Sequence, residues 1–334
     1  MYKVRDYLDK CVQSVLKQSF KDYELILVDD GCPDGGGRAC DAYAEKHPER
    51  IQVIHQENTG LGGARNAGLK QAAGDYIFFV DSDDWIDTDS LQMLHNALEK
   101  YDYPHMALLG HVVETEKSSW KITPELPADT ILSLAKNKDI LVADVMAWAR
   151  VVRREVYLAH GIFFPPRALY EDLCTTPKLL LHAERIVCLK ECPYHYLRRG
   201  SSIMNSSKLE RLGERIEAME SVLLYFKEQG ADRKYRDELC FLAVRHIVIG
   251  AVRDVLRTEP ESSLLQTMVD YAVRIFPEGV QNKYLSTLNF MEKRLVKKLY
   301  RGRISAVKRD YKRIQAAKRI FSKLAPSFTE RLAK

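Results

Sequence analysis

Between residues 5 and 18, apolar side chains fall at Tyr7, Leu8, Cys11, Val12, Val15 and Leu16, the three-to-four spacing of one buried helical face. The pattern then changes. Glu24 to Val28 is a short apolar run that stops at Asp29-Asp30-Gly31, as a buried parallel strand does when it breaks into a loop. A turn-rich stretch from Pro33 to Gly37 opens a helix to about Lys46, and Ile51 to His55 predicts a second strand. Gly60-Leu61-Gly62-Gly63 precedes a helix from Ala64 to Ala73, and Tyr76 to Val80 predicts a third strand ending in Asp81-Ser82-Asp83-Asp84. A helix over 91–100 and a strand over 106–113 continue the alternation. Strands alternating with helices of this length imply crossover connections and a mainly parallel sheet. Ligands in such sheets bind beyond the carboxyl ends of the strands, where Asp29-Asp30 and the Asp81 cluster both lie.

From 114 to 170 the pattern is less regular; 171–182 predicts a helix and 186–189 a strand. After Ser206 the chain reads as helical almost throughout. We therefore expect an α/β domain over 1–205, with halves 1–100 and 101–205, and a helical region over 206–334. No repeat or low-complexity tract interrupts it.

Composition adds a charge asymmetry. Residues 293–334 hold fifteen Lys and Arg against Asp310 and Glu330, a net of +13, while the whole chain is only +5. Apolar positions Leu295, Val296, Leu299, Ile304 and Val307 recur there at helical spacing, so the tail predicts a basic amphipathic helix able to lie on an anionic membrane surface; a soluble helical tail would carry the same residues. No run approaches the ~20 apolar residues of a membrane span. No nucleic-acid-binding module is visible, which sets nucleic acid aside as a partner. Seven scattered cysteines, an odd number, predict free thiols in a cytoplasmic protein, peripheral on the inner face of the membrane if the tail binds it.

The acidic strand ends carry the candidate chemistry. In an extended segment Asp81 and Asp83 would point the same way, and paired carboxylates repel unless a cation sits between them. Their hard oxygens suit Mg²⁺ or Mn²⁺ with positions left for substrate phosphates; a solvated turn before a helix would use the same residues. Arg65 opens a helix beside a glycine run, a natural place for phosphate, although a surface salt bridge would also account for it. The glycines from Gly60 to Gly68 lack the spacing of a dinucleotide fingerprint and the strand that should directly precede it.

Four ordered motifs make a resemblance plain: Leu-Ile-Leu-Val-Asp-Asp-Gly at 25–31, Glu-Asn-Thr-Gly at 57–60, Ala-Arg-Asn-Ala-Gly-Leu at 64–69, and Gly-Asp-Tyr-Ile-Phe-Phe-Val-Asp-Ser-Asp-Asp-Trp at 74–85. Residues 4–85 resemble the nucleotide-binding half of bacterial family-two glycosyltransferases of the GT-A fold. A weaker match through Trp148, Val151 to Arg154, Phe163 to Pro165 and Tyr170-Glu171-Asp172 runs to about 205. The resemblance implies a Rossmann-like mixed, mainly parallel sheet flanked by helices and followed by a helical C-terminal region. It implies an inverting transferase that moves a sugar from a nucleotide-diphosphate donor, most often of uridine, to a glycan or lipid-linked glycan acceptor.

Site roles follow from the same resemblance. Tyr2, Asp29 and Asp30 would contact the nucleoside; Arg65 would sit near base or diphosphate; Asp81 and Ser82 would contact the donor; and Asp81 with Asp83 would hold Mg²⁺ or Mn²⁺. Asp172, with Glu171 beside it, would be the catalytic base. Acidic residues placed at a helix N-terminus for its dipole would look the same. Trp148 would be either a sugar-stacking wall or a core tryptophan. His195 to Ser201 resembles a mobile loop closing over the donor, with His195 as an added metal ligand or a packed histidine. No Gln-x-x-Arg-Trp motif follows, against a processive polymerase. The family's opening strand has no counterpart before Met1, and Cys32 replaces a serine. The absent strand leaves a second functional class open, a truncated remnant that binds nucleotide sugars without turning them over.

Overall fold

The apolar stripe of α1 (Arg5–Leu16) buries Leu8, Cys11, Val12 and Val15. Leu8 and Val12 pack with Cys40 of α2 (Gly36–Lys46) against Leu25 and Leu27 of β1 (Leu25–Asp29) and Val53 of β2 (Ile51–His55). The computed structural model describes residues 1–199 and 209–324. Gly200, Ser201 and tail residues 325–334 thus lie outside the described residues.

Two compact units divide the chain. The first comprises Met1–Ser206 with Ala218–Arg233, the second Ser207–Glu217 with Lys234–Lys334. In the first, β1 and β2 pair in parallel, and α3 (Gly60–Gln71) follows β2. Met1 lies beside the end of β1: its amino group donates to the Val28 carbonyl, and Asp30 N–H donates to the Met1 carbonyl at 3.0 Å.

A five-stranded sheet follows in the order β3-β9-β5-β10-β8, formed by Tyr76–Phe78, Arg150–Arg153, Met106–Leu108, Ile186–Cys188 and Ile131–Leu132. A four-stranded sheet runs β4-β11-β6-β7, formed by Trp85–Ile86, Tyr194–Leu197, His111–Glu114 and Ser119–Ile122. The sheets are mixed. The parallel pairs are β1–β2, β5–β10 and β6–β11, whereas β9 runs antiparallel to both β3 and β5. The parallel share is therefore smaller than the strand–helix alternation predicts.

The single strand expected over 106–113 is two strands in two sheets. The chain turns at Leu109-Gly110, where a Cβ on Gly110 would stand 2.6 Å from Cys192 Sγ. Leu94 and Leu98 of α4 (Ser90–Lys100) cover the five-stranded sheet through Ala107, Leu109, Val151 and Val187. α5 (Arg154–Ala159), α6 (Glu171–His182) and α7 (Glu214–Glu228) complete the helices that begin before Arg233.

In the second unit, α8 (Arg236–Ala243) continues through a π-helical stretch at Val244–Ala251 into α9 (Val252–Thr258). α10 (Leu264–Ile275) and α11 (Phe290–Tyr300) pack with it, and α12 (Ile304–Leu324) packs on α11. Asn289 and Glu292 form a reciprocal capping box at the start of α11. Val296, Leu299, Ile304 and Val307 are buried. The apolar stripe expected to face a membrane is thus turned into protein. Among the described residues no helix is long and apolar enough to cross a membrane. All seven cysteines are free.

Candidate active site

Two acidic strand ends come from neighbouring motifs. At the end of β1, Asp30 is 2% exposed. Its Oδ1 accepts from Thr59 N–H at 2.8 Å and from Gln56 Nε2 at 2.6 Å, and its Oδ2 accepts from Gly60 N–H at 2.9 Å. Thr59 and Gly60 begin α3, so Asp30 satisfies the N-terminal donors of that helix. The place that the sequence suggests for a ligand phosphate is filled by a side chain. Asp29 accepts from Cys32 N–H at 2.9 Å and shares a proton with His55 Nδ1 at 3.0 Å. Asp30 thus braces the loop between β2 and α3 beside the expected nucleoside end of the site. Tyr2 stays 40% exposed beside this end of the sheet.

After β3 the Asp81-Ser82-Asp83-Asp84 segment is a turn, not an extended run: Asp84 N–H donates to the Asp81 carbonyl at 2.9 Å. The extended geometry from which a shared face was expected is therefore absent; the two carboxylates sit in one turn, close enough for the Asp81 charge to act on Asp83. Asp81 Oδ1 meets Arg65 at 3.0 Å. Asp83 Oδ2 receives two bonds from Arg199, at 2.9 and 2.6 Å, and the Arg199 guanidinium also lies over the Tyr7 ring. Burial raises Asp83, and the Asp81 charge adds to this, with Arg199 opposing. Ser82 sits at the turn between them, half-buried.

Asp84 points inward. It accepts from Tyr194 Oη at 2.5 Å and from Leu197 N–H at 2.7 Å, while Tyr194 Oη accepts from Asp81 N–H at 3.1 Å. Burial, followed by the charges of Asp81 and Asp83, pushes Asp84 up to about 8.

Arg65 is the centre of the site. It is 6% exposed, so the surface-salt-bridge alternative is excluded. Nη2 meets Asp81, and Nη1 meets Glu171 Oε1 at 2.9 Å and Asp172 Oδ1 at 2.6 Å. The guanidinium lies against the Phe79 and Phe164 rings, 5.8 and 5.4 Å from their centroids. Burial alone would lower Arg65, but Asp172, Asp81 and Glu171 together hold it above its ordinary value.

The next residue explains how distant segments meet. Asn66 donates to the Phe164 carbonyl at 2.7 Å and accepts from Phe164 N–H at 2.9 Å. Arg167 N–H donates to the Thr59 carbonyl at 2.7 Å. The segment before α6 is thereby fixed on the start of α3, which brings Glu171 and Asp172 to Arg65. Gly62 permits the approach, since a Cβ there would stand 2.5 Å from the Pro165 carbonyl. Asp172 Oδ2 also accepts from Ala147 N–H at 3.1 Å. Burial raises Asp172, with Arg65 opposing and Asp81 adding. Burial and then the Asp172 charge push Glu171 up to about 8, against Arg65. A buried carboxylate raised in this way is a stronger proton acceptor once ionised.

The expected residues thus form two linked groups: Asp81, Arg65, Glu171 and Asp172 in one, and Asp83 with Arg199 beside it. The carboxylates of Asp81 and Asp83 are donors of the kind Mg²⁺ and Mn²⁺ take, with phosphate and water oxygens filling the rest of the shell. Among the described residues no group of three or more His, Cys, Asp and Glu gathers around one point.

Two open alternatives are narrowed. Trp148 is 5% exposed and stacked on Tyr194 and Tyr196 at 4.6 and 5.3 Å, so it is a core tryptophan and not an acceptor wall. His195 lies in β11, not in a loop. Both its ring nitrogens are engaged, by Glu114 at 2.8 Å and Asp87 at 3.0 Å, and its ring stacks on Trp85. The sequence left Arg199 and Asp84 unassigned. The signal for Arg199 was its place in the 195–201 stretch that resembles a loop closing over the donor, and for Asp84 its place as the fourth acid of the cluster.

The chain is similar to known proteins. A sequence profile of the family described as Glycosyl transferase family 2 matches residues 1–161. The relative that bears the name "Putative glycosyltransferase EpsH", from Bacillus subtilis (strain 168), is 30% identical over 255 residues, covering 74% of this chain and 73% of EpsH. GlyG of Streptococcus pneumoniae serotype 4, also named a glycosyltransferase, is 29% identical over 219 residues, covering 62% of this chain and 71% of GlyG. The crystal structure of S. aureus TarS 1-349 in complex with UDP-GlcNAc superposes with a TM-score of 0.67 at 20% identity, covering 90% of each chain; that likeness speaks for the fold.

Proposed function

We propose that this chain, which belongs to glycosyl transferase family 2, moves a sugar from a nucleotide-diphosphate sugar, of the uridine type, to an acceptor hydroxyl with inversion. The observation that carries this is the Arg65 cluster. One buried guanidinium holds Asp81, from the donor side, and Glu171 with Asp172, from the acceptor side, in a single group. A donor and a base held in fixed relation are what a single displacement needs.

Asp172 is the base. It takes the acceptor's hydroxyl proton as that oxygen bonds to the anomeric carbon, while the bond to the diphosphate oxygen breaks on the opposite face. Arg65 and Ala147 N–H orient the Asp172 carboxylate, and Glu171 shares the Arg65 charge. Asp81 and Asp83 would hold Mg²⁺ or Mn²⁺, whose chemistry is to offset the charge of the diphosphate leaving group. Tyr2 and Ser82 contact the donor, Tyr2 through its exposed ring at the nucleoside. The uridine reading is supported by the UDP-GlcNAc held by the TarS structure. A glycan or lipid-linked glycan acceptor fits the names of relatives that act in teichoic acid biosynthesis, such as GgaB of Bacillus subtilis.

The test is transfer or hydrolysis of UDP-sugars by the purified full chain with Mn²⁺. Asp172→Asn should lower the rate about 10²–10⁴-fold, the usual contribution of a positioned base, while UDP binding by calorimetry persists. Glu171→Gln should cost less. Equal rates in wild type, Asp172→Asn and Asp83→Ala would overturn the catalytic proposal, and retained UDP-sugar binding in that case would mark a binding remnant.

A further inference from the structure

The N-terminal part of α11 carries a surface that the transfer reaction does not use. Phe290 is 74% exposed and Met291 54% exposed, side by side at the helix start. Arg294, Lys297 and Arg301 follow Phe290 at four, seven and eleven residues, so they lie along the same side of the helix. With Lys293 and Arg303 they line a concavity of about 340 Å³ that also includes Phe290. Among the described residues no carboxylate lies within ion-pair distance of Arg294, Lys297, Arg301 or Arg303, whereas the neighbouring Lys298 is paired with Asp310. The opposite side of the helix is spent on the core through Val296 and Leu299.

We propose that this face of α11 docks on an anionic phospholipid leaflet, with Phe290 and Met291 entering the headgroup–acyl boundary and Arg294, Lys297 and Arg301 facing the lipid phosphates. The charge is complementary, and the apolar pair decides the class of partner. A polyanionic chain would neutralise the cations and leave Phe290 and Met291 in water, whereas a leaflet covers both kinds of group. This surface is not the stripe that the sequence suggests, because Val296, Leu299, Ile304 and Val307 are buried. It stands independently of the catalytic proposal.

Co-sedimentation of the full chain with vesicles tests it. Wild type should pellet with an equimolar mixture of phosphatidylcholine and phosphatidylglycerol and remain in solution with phosphatidylcholine alone. Each basic residue near an anionic surface changes affinity about fivefold, so Arg294→Gln/Lys297→Gln/Arg301→Gln should weaken binding on the order of a hundredfold. Phe290→Ser/Met291→Ser should weaken it on the order of a hundredfold. All five positions are exposed, and unchanged melting curves confirm folded variants. A Phe290→Trp chain, read against wild type, should be quenched by brominated phospholipid. Three results each overturn the proposal: no pelleting of wild type with the anionic vesicles, wild-type binding by the serine variant, which marks a polyanion site, or an unquenched Trp.

Discussion

At the end of β1, Asp30 meets neutral donors: the N–H groups of Thr59 and Gly60 and the amide of Gln56. At the end of β3, Asp81 and Asp83 meet arginines, Arg65 and Arg199. Both ends are short acidic runs after apolar strands, yet their charge is handled differently. Backbone donors cannot leave, so Asp30 is part of the scaffold. A guanidinium can be exchanged for another cation or drawn to an anionic ligand, so Asp83 and Arg199 remain open to chemistry. A buried carboxylate is therefore better classified by the kind of donor it holds than by its place at a strand end.

The strongest test of this contrast is Arg65→Met. It leaves three carboxylates without their cation, and breaking a buried pair in this way costs about 3–5 kcal/mol. The melting temperature should fall and transfer should cease; a variant that melts with wild type would remove Arg65 from the centre of the site. Next, Asp30→Ala orphans the N–H groups of Thr59 and Gly60, at about 1–3 kcal/mol for a buried unsatisfied group. Asp83→Ala should cost less stability but abolish any response of the rate to Mn²⁺. The reverse ranking in denaturant titrations would break the comparison.

A third test uses pH. Glu171 and Asp84 both stand at about 8 in the fold, above the ordinary carboxylate range of the unfolded chain. Between those limits the folded protein binds more protons, so stability is fully present below the carboxylate range and falls as pH rises through about 8. Glu171→Gln should flatten that fall in melts from neutral to alkaline pH. The transfer rate should move the other way, rising as Asp172 ionises. The smallest effect is expected for Cys32→Ser, where a hydroxyl can replace the thiol that meets Lys3 N–H and Asp34; a change within about 0.5 kcal/mol is expected.

Much of the local structure was legible. The strand over 51–55 and the helix over 171–182 occur with the expected ends, because each is bounded by an abrupt change in pattern. Gly60 to Gly63 misled, since glycines usually mark loops; here they begin α3 and are small so that Pro165 and Arg167 can approach. The strand at 194–197 was missed because its pattern is short and aromatic, and its partners lie in β4 and β6. At the site, Arg65, Asp81, Glu171 and Asp172 were found through motifs. Arg199 was not, since its contact with Asp83 spans 116 residues and no local pattern encodes it.

The paired bonds between Asn66 and Phe164, together with Arg167 N–H on the Thr59 carbonyl, have a dynamic consequence. The start of α3 and the segment before α6, which share these hydrogen bonds, open as one cooperative unit. Amide exchange at Phe164 and Arg167 should then report a single opening free energy, and Asn66→Ala should lower it at both together. The same opening would part Asp172 from Arg65, so the lifetime of that closed unit sets how long the base remains aimed.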